Sequence, residues 1–111
     1  MGNQQADHVV ELVVFGLKEG VAREQFLDTV GAASAWVGTQ PGFISDQLYA
    51  AGDGRWIEIV RWKTLEHAES AAQAAETDPA CAPMFGLVDM DDQVFLHGVP
   101  VTTSAVARGR P

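Results

Sequence analysis

The sequence contains a single cysteine, Cys81, among its 111 residues. One cysteine cannot form a disulfide within the chain, and it cannot supply a cysteine-rich zinc site. A disulfide-stapled scaffold is therefore excluded, and we expect a protein of the reducing cytoplasm. The length suits one domain and leaves little room for a second.

Positive charge is also scarce. Seven Lys and Arg residues stand against 15 Asp and Glu, which gives a formal net charge of −8. Two of the seven cations, Arg108 and Arg110, lie in the last four residues. Because so acidic a body repels phosphate groups, we expect neither nucleic acid nor an anionic membrane as a partner.

Long apolar runs and cofactor motifs are missing as well. No stretch approaches the length of a bilayer span, and the first residues lack the basic-then-apolar pattern of a secretory signal. No two histidines have the spacing of metal ligands, and no glycine-rich nucleotide loop follows a strand. We therefore expect no metal and no bound cofactor.

What the chain does have is apolar residues, which make up 47% of it. A domain of this size buries only about two-thirds of the surface of its unfolded chain. Part of the apolar content is therefore expected to line an interface with a partner or an internal pocket.

Two hydrophobic periods alternate along the sequence and predict six main elements. Apolar residues recur every three or four positions in the helical segments, whereas β-branched and aromatic residues dominate the strands. Turn signals separate the elements, notably Gln40-Pro41-Gly42 and Ala51-Gly52-Asp53-Gly54, and Thr64 is expected to cap the second helix. The predicted elements are a strand at 8–16, a helix at 21–39, strands at 43–50 and 56–62, a helix from 65 to about 77, and a strand at 93–100.

This β-α-β-β-α-β order predicts a ferredoxin-like α+β fold, an antiparallel four-stranded sheet with two helices on one face. One short helical turn is expected in the Pro-rich segment 78–92. The domain is expected to span residues 8–100, between a flexible N-terminus at 1–7 and a flexible tail at 101–111.

The first and third strands are apolar on both faces, so the sheet needs cover on both sides. We assign the faces by placing charge away from the helices, because an unpaired buried charge is costly. This predicts that the helix side carries Val10, Leu12, Val14, Ile57, Ile59, Val94 and Leu96. The opposite side then carries Val9, Glu11, Val13, Phe15, Trp56, Glu58, Val60, Trp62, Phe95, His97 and Val99. A second copy of the sheet is the simplest cover for that side, and its mixture of apolar, aromatic and ionisable groups suits a ligand cavity.

Three features together resemble the dimeric α+β barrel superfamily, in particular its antibiotic-biosynthesis-monooxygenase-like domains. They are the element order, the turn Gln40-Pro41-Gly42-Phe43 that begins the second strand, and the string from Val60 to Glu66 (VRWKTLE), in which Trp62 closes the third strand. The step Asp78-Pro79-Ala80 after the second helix also fits. The resemblance covers residues 8–100 and implies a homodimer whose two sheets close into a barrel. It implies activities that range from cofactor-free oxygenation of phenolic substrates to polyketide cyclisation and haem degradation, so it does not settle the reaction.

Two branches of that superfamily fit poorly. Haem-degrading members carry an Asn on the first strand and a His after the second helix, and neither is present here although Trp62 matches their Trp. Plant-type polyketide cyclases carry a His-Pro-Ala-His string, which here reads Asp78-Pro79-Ala80-Cys81, so that Cys81 replaces the catalytic His. Their mechanism cannot be carried over intact.

Three residues are the predicted catalytic groups. His97 is the only histidine on the inferred cavity face, and Glu58 is a carboxylate among aromatic residues, which raises its proton affinity, so each is a candidate general base. Trp62 is expected to hold an aromatic ring. The structural alternatives are a hydrogen-bonded histidine, a glutamate that pairs with a nearby cation, and a core tryptophan.

The predicted substrate-binding residues share the cavity face or its borders. Cys81 could instead be a small buried apolar residue, as free cysteines commonly are. Gln47 and Tyr49 of the second strand could equally lie where two subunits meet. The set consists of Trp56, Glu11, Phe15, Gln47, Tyr49, Phe95 and Cys81.

The leading hypothesis is a homodimeric, cofactor-independent monooxygenase-like enzyme that acts on a small hydrophobic aromatic or polyketide-like substrate. One alternative is a polyketide cyclase or isomerase that uses the same base without oxygen. Another is a non-catalytic ligand-binding or structural dimer, whose barrel would be filled by side chains.

Overall fold

The structure is a computed structural model that describes residues 7–104. The flexible segments predicted at 1–7 and 101–111 lie largely outside the described residues. Within them, Asp7 and residues 101–104 belong to no helix or strand.

The six predicted main elements are all present, with ends that differ by a few residues. The strands are β1 (Val9–Phe15), β2 (Phe43–Ala50), β3 (Trp56–Trp62) and β4 (Val94–Gly98), and the helices are α1 (Arg23–Val37) and α2 (Leu65–Ala75). The Pro-rich connection holds the short helix α3 (Ala82–Phe85) and a 3₁₀ turn at Met90–Asp92, one more turn than expected. Thr64 caps α2 as predicted, since its side chain accepts a hydrogen bond from the backbone N–H of His67.

The strands form one antiparallel sheet in the order β2-β3-β1-β4. This order and the position of α1 and α2 confirm the ferredoxin-like α+β fold. A β-bulge lies near the start of β2, because Phe43 pairs with Trp62 whereas Ser45 pairs with the adjacent Arg61. The bulge decides which side chains of β2 face the helices.

The hydrophobic core lies between one face of the sheet and the helices. Phe26 of α1 packs in one cluster with Val13, Phe15 and Trp56, and Ala68 and Ala71 of α2 pack in a second cluster with Val60 and Trp62. The connection between α3 and β4 also contributes to the core, through the buried Val88. Val88 forms an isolated antiparallel β-bridge with Leu17, which follows β1.

The predicted assignment of sheet faces was wrong. Val9, Glu11, Val13 and Phe15 of β1 lie on the helix side with the corresponding residues of β3 and with Phe95 and His97 of β4. The prediction assumed that helices press on the whole sheet and leave no room for charge. Here α1 and α2 present small residues such as Ala33, Ala71 and Ala75, so a cavity remains that accommodates carboxyl groups.

The side of the sheet away from the helices is apolar and partly exposed. Its members were predicted to face the helices and do not: they are Val10, Leu12, Val14, Ile57, Ile59, Val94 and Leu96, of which Leu96 is 54% exposed. We refer to these seven residues as the outer sheet face. Separately, the helices within residues 7–104 include none with the length and apolar character needed to cross a membrane.

Candidate active site

A cavity of about 640 Å³ lies between the sheet and the helices. That volume falls in the range of pockets for small organic ligands. Its walls are mostly apolar and are contributed by all four strands, all three helices and the segment before β4. The lining residues are Glu11, Val13, Phe15, Val30, Ala33, Ser34, Trp36, Val37, Leu48, Glu58, Val60, Trp62, Ala71, Ala72, Ala75, Glu76, Cys81, Met84, Phe85, Val88, Met90, Gln93 and Phe95.

The sheet register places polar side chains in one row across the helix side of the sheet, and Glu11 of this row lines the cavity. Asp46 of β2 lies opposite Val60 of β3, which lies opposite Glu11 of β1, which in turn lies opposite His97 of β4. In the next row on the same face, Glu58 lies opposite Val13. Three carboxyl groups and one imidazole are thereby gathered on an otherwise apolar surface.

Among the groups of the site, Glu58 has the pKa that departs furthest from its ordinary value. Burial raises the pKa of its carboxyl group to about 9, and the neighbouring Asp46 and Glu11 carboxylates act in the same direction. Because a carboxylic acid with this pKa keeps its proton at neutral pH, Glu58 can donate a hydrogen bond to a ligand.

Glu11 and His97 form a pair beside it. His97 Nε2 lies 3.6 Å from Glu11 Oε1, and both atoms are buried. Burial raises the pKa of Glu11, although His97 and the Trp62 indole act to lower it. Glu11 lines the cavity, whereas His97 does not, so the carboxylate stands between the imidazole and the ligand space.

Asp46 and Trp62 are the remaining residues with polar side-chain atoms on this part of the sheet. Ser34 of α1 donates a hydrogen bond from Oγ to Asp46 Oδ2 at 3.2 Å, which links the helix to β2. Trp62 is 2% exposed, and its Nε1 has no hydrogen bond of acceptable geometry within the described residues. The indole acts on the neighbouring Glu11 carboxyl group, whose pKa it lowers.

Neither a family model nor a curated protein matches the chain at a significant level. Solved structures do. SnoaB, a cofactor-independent oxygenase from Streptomyces nogalater, superimposes with a TM-score of 0.65 at 19% identity, over 91% of this chain and 98% of that one. The monooxygenase ActVA-Orf6 of Streptomyces coelicolor gives 0.64 at 19% identity, over 90% and 93% of the two chains. A dimeric ferredoxin-like protein of unknown function from Thermobifida fusca gives 0.67 at 14% identity, over 86% and 93%.

The chain shares the ferredoxin-like α+β fold of these three proteins. The resemblance inferred from the element order and the Pro-Gly-Phe turn is thereby confirmed at the level of the fold.

Six of the ten predicted site residues line the cavity. The carboxyl groups of Glu11 and Glu58 and the indole of Trp62 meet on its floor, while Cys81 reaches it from the segment before α3. The six are Glu11, Phe15, Glu58, Trp62, Cys81 and Phe95. Their roles in binding or catalysis stay predictions.

Four predicted site residues lie elsewhere. Trp56 is buried against Phe26, with the Arg23 guanidinium 5.1 Å from its ring centre, and it does not line the cavity. Gln47 lies on the opposite side of the sheet, where its side-chain oxygen accepts a hydrogen bond from Arg61, and Tyr49 is 44% exposed on that side. His97 reaches the cavity only through Glu11.

Several lining residues were not predicted from the sequence. Trp36 lies one position from the predicted apolar face of α1, so a wider stripe would have included it. Met84 and Phe85 lie in the Pro-rich segment, where no period guides assignment. Asp46 does not line the cavity but acts on the neighbouring Glu58, and it was missed because it faces the helices only through the bulge in β2, which leaves no clear sequence signal.

Cys81 is 2% exposed, and burial raises the pKa of its thiol, with Asp78 and Glu58 adding to the effect. The thiol therefore stays protonated at neutral pH and is a poor nucleophile. Within residues 7–104, no group of three or more His, Cys, Asp and Glu side chains is arranged to hold a metal ion.

Proposed function

We propose that the chain is a cofactor-independent monooxygenase that acts on a small hydrophobic aromatic or polyketide-like substrate. The observation that carries the proposal is the apolar cavity with Glu11, Glu58 and Trp62 together on its floor. Two proteins of the same fold are named as oxygenases, and the Streptomyces coelicolor protein was crystallised with Nanaomycin D. Fold similarity alone does not fix a reaction, so the proposal rests on the site.

In the proposed mechanism, the two glutamates divide the roles of acid and base. Glu58 keeps its proton and donates a hydrogen bond to a substrate carbonyl or developing enolate oxygen. The Glu11–His97 pair accepts the proton of a phenol or an activated methylene, since Glu11 faces the ligand and its pKa is raised. This differs from the sequence-based hypothesis, in which Glu58 or His97 was itself the base.

The overall reaction converts an activated methylene and O₂ into a carbonyl and water. The base removes one proton from the methylene, and the resulting carbanion transfers an electron to O₂. Recombination forms a carbon–oxygen bond to a hydroperoxide. Cleavage of its O–O bond, with loss of the second methylene hydrogen as a proton, gives the carbonyl and water. The substrate loses four electrons and O₂ gains four.

The test uses anthrone as substrate, with O₂ consumption and ¹⁸O incorporation from ¹⁸O₂ as readouts. We expect Glu11→Gln and His97→Ala each to lower kcat/KM by about 10²- to 10⁴-fold, the usual contribution of a general base. Glu69→Gln changes an exposed glutamate of α2 and serves as the matched control. Full activity in both Glu11→Gln and His97→Ala would show that this pair is not the base.

A polyketide cyclase or isomerase is the second candidate. It is favoured by the protonated Glu58 beside the Glu11–His97 pair, because aldol-type ring closure needs an acid and a base and no oxygen. Assay under anaerobic conditions separates the two, since an oxygenase stops and a cyclase continues. Ligand binding without turnover in either atmosphere would instead identify a non-catalytic binding protein.

We also propose that the protein is a homodimer joined through the outer sheet face. Seven apolar residues lie together there, of which Val94 is 45% and Leu96 is 54% exposed, and contiguous exposed apolar side chains commonly mark an interface. The Thermobifida fusca protein of the same fold is described as dimeric. A symmetric pairing of two such faces would cover both.

A further inference from the structure

The ionisable side chains that residues 7–104 contribute to the cavity lining are three glutamates and one cysteine. The lining includes Glu11 and Glu58 on the floor and the exposed Glu76 at the end of α2. No Lys or Arg of residues 7–104 contributes to the walls. A ligand in the cavity therefore meets carboxyl groups and the Cys81 thiol, but no Lys or Arg side chain of the described residues.

The cations of the described region lie away from the cavity. Arg61 donates a hydrogen bond to Gln47 on the opposite side of the sheet, 3.0 Å away. Arg55 pairs with Asp53 at 2.8 Å in the exposed β2–β3 turn. Arg23 stacks on Trp56 behind the cavity wall. Lys18 and Lys63 are exposed.

The imidazole of His97 does not supply the missing positive charge to a ligand. Its Nε2 lies 3.6 Å from Glu11 Oε1, so any charge it carries is opposed by that carboxylate before it reaches the cavity. Asp46, on the far side of Val60 in the same row, adds a further carboxyl group.

The hydrogen-bonding groups of the floor suit an uncharged ligand. The protonated Glu58 is a donor and matches carbonyl or quinone oxygens. Glu11 is an acceptor and matches a phenolic hydroxyl. A ligand carboxylate would be buried beside Glu11 with no Lys or Arg from the described part of the chain to pair with it, and an unpaired buried charge is strongly disfavoured.

We propose that the cavity selects uncharged hydroxyaromatic ligands and rejects the same ring systems when they carry a carboxylate. The inference rests on the proposed function in that it takes this cavity to be the substrate site. It assigns the substrate class by charge: a phenol or quinone that has no free acid group when it enters.

The test compares a matched pair of probes, 2-naphthol and 6-hydroxy-2-naphthoate, by isothermal titration calorimetry with the full chain at pH 7. The two differ only by the carboxylate. We expect 2-naphthol to bind at least about tenfold more tightly, since like-charge juxtaposition in a desolvated site is strongly unfavourable. Equal affinities, tighter binding of the naphthoate, or no binding of 2-naphthol would each overturn the proposal.

A charge variant checks the cause of the selectivity. Glu11→Gln removes the floor carboxylate and is expected to narrow the affinity ratio severalfold, whereas the exposed control Glu69→Gln leaves it unchanged. Should Glu11→Gln fail to fold by circular dichroism, Glu76→Lys reverses the charge of an exposed lining residue and is expected to strengthen naphthoate binding. An unchanged ratio in whichever of the two variants folds would contradict the electrostatic explanation.

Turnover and binding separate this inference from the proposed function. If 2-naphthol binds selectively but anthrone causes no O₂ consumption, the proposed charge selectivity holds and the proposed oxygenase activity is wrong. If anthrone is turned over with O₂ but the two probes bind equally, the oxygenase activity holds and the charge selectivity is wrong.

Discussion

Glu58 and Glu69 are the same residue type in two very different surroundings. Glu69 lies on the exposed side of α2, whereas Glu58 lies on the cavity floor near two other carboxylates. Burial and like charge raise the pKa of Glu58 until it ionises only near pH 9. The same surroundings that suit it to hydrogen-bond donation also cost folding stability at neutral pH.

We expect Glu58→Gln to flatten the dependence of stability on pH. The unfolded chain loses the Glu58 proton near its ordinary pKa of 4.5, while the folded chain keeps it up to a pKa of about 9. The contribution of Glu58 to the free energy of unfolding is therefore fully present below about pH 4.5. Between there and about pH 9 the contribution falls by about 1.4 kcal/mol per pH unit. Glutamine cannot ionise, so urea unfolding from about pH 5 to 9 should show a smaller decline in the variant.

Glu69→Gln is the matched control and should retain the wild-type slope. A Glu58→Gln variant with the wild-type slope would mean that Glu58 ionises at an ordinary pH in the folded protein. The unfolding midpoints at about pH 8 give the sharpest comparison, because the wild-type penalty is then close to its largest value.

Individual site residues were predictable where chemistry and strand pattern coincide. Glu11, Glu58 and Trp62 are ionisable or aromatic groups in strongly apolar strands, and all three line the cavity. Asp46 was not predictable, since one extra residue in β2 reverses the alternation that follows Phe43. The same bulge turns Gln47 and Tyr49 to the other side of the sheet.

At the scale of elements, the turn before β2 joins three parts of the fold. Gly42 has a φ of +83°, and its carbonyl accepts a hydrogen bond from the backbone N–H of Lys63 at 2.8 Å. A Cβ at position 42 would overlap the ring of His67 in the first turn of α2. The Pro-Gly-Phe sequence thus needs glycine both for its backbone angle and for the approach of the helix.

We expect Gly42→Ala to destabilise the protein more than Gly54→Ala does. Gly54 has a similar φ of +89°, but a Cβ there would have open space for 4 Å around it beyond its chain neighbours, so alanine suffers backbone strain alone. That strain costs about 1–2 kcal/mol. The added steric conflict at position 42 should show as a lower thermal midpoint, and His67→Ala in the same chain should recover part of it.

Equal losses of stability in the two glycine variants would mean that His67 moves aside without cost.

Element boundaries themselves followed from sequence because each element obeys one period and ends at Gly, Pro or a cap such as Thr64. The 3₁₀ turn at Met90–Asp92 was missed, since a turn of three residues has no period to detect.

At the scale of the whole molecule, the sequence indicated that the sheet needs cover on both sides but not which side meets the helices. Both sides of β1 and β3 are apolar, so only the charged residues distinguish them. The rule that charge avoids the helices failed because a cavity lies beside the hydrophobic core, between the sheet and the helices. Packing of small alanines against a sheet is a tertiary property that strand alternation does not reveal.

We expect Leu96→Lys to produce a monomer if two copies meet through the outer sheet face. Leu96 is 54% exposed in β4, and a lysine there would place like charges at the symmetric interface. Leu65→Lys changes a leucine of α2 that is 45% exposed and leaves the sheet untouched. Light scattering after size exclusion should give half the mass for Leu96→Lys only.

The pairing of β1 with β4 also affects the order in which the fold can form. Val10 of β1 pairs with Gly98 of β4, so one edge of β1 stays unpaired until β4 has been synthesised. Contacts this distant in sequence slow folding. Phe95 of β4 lines the cavity, so the ligand space gains this wall only after the other three strands of the sheet have been made.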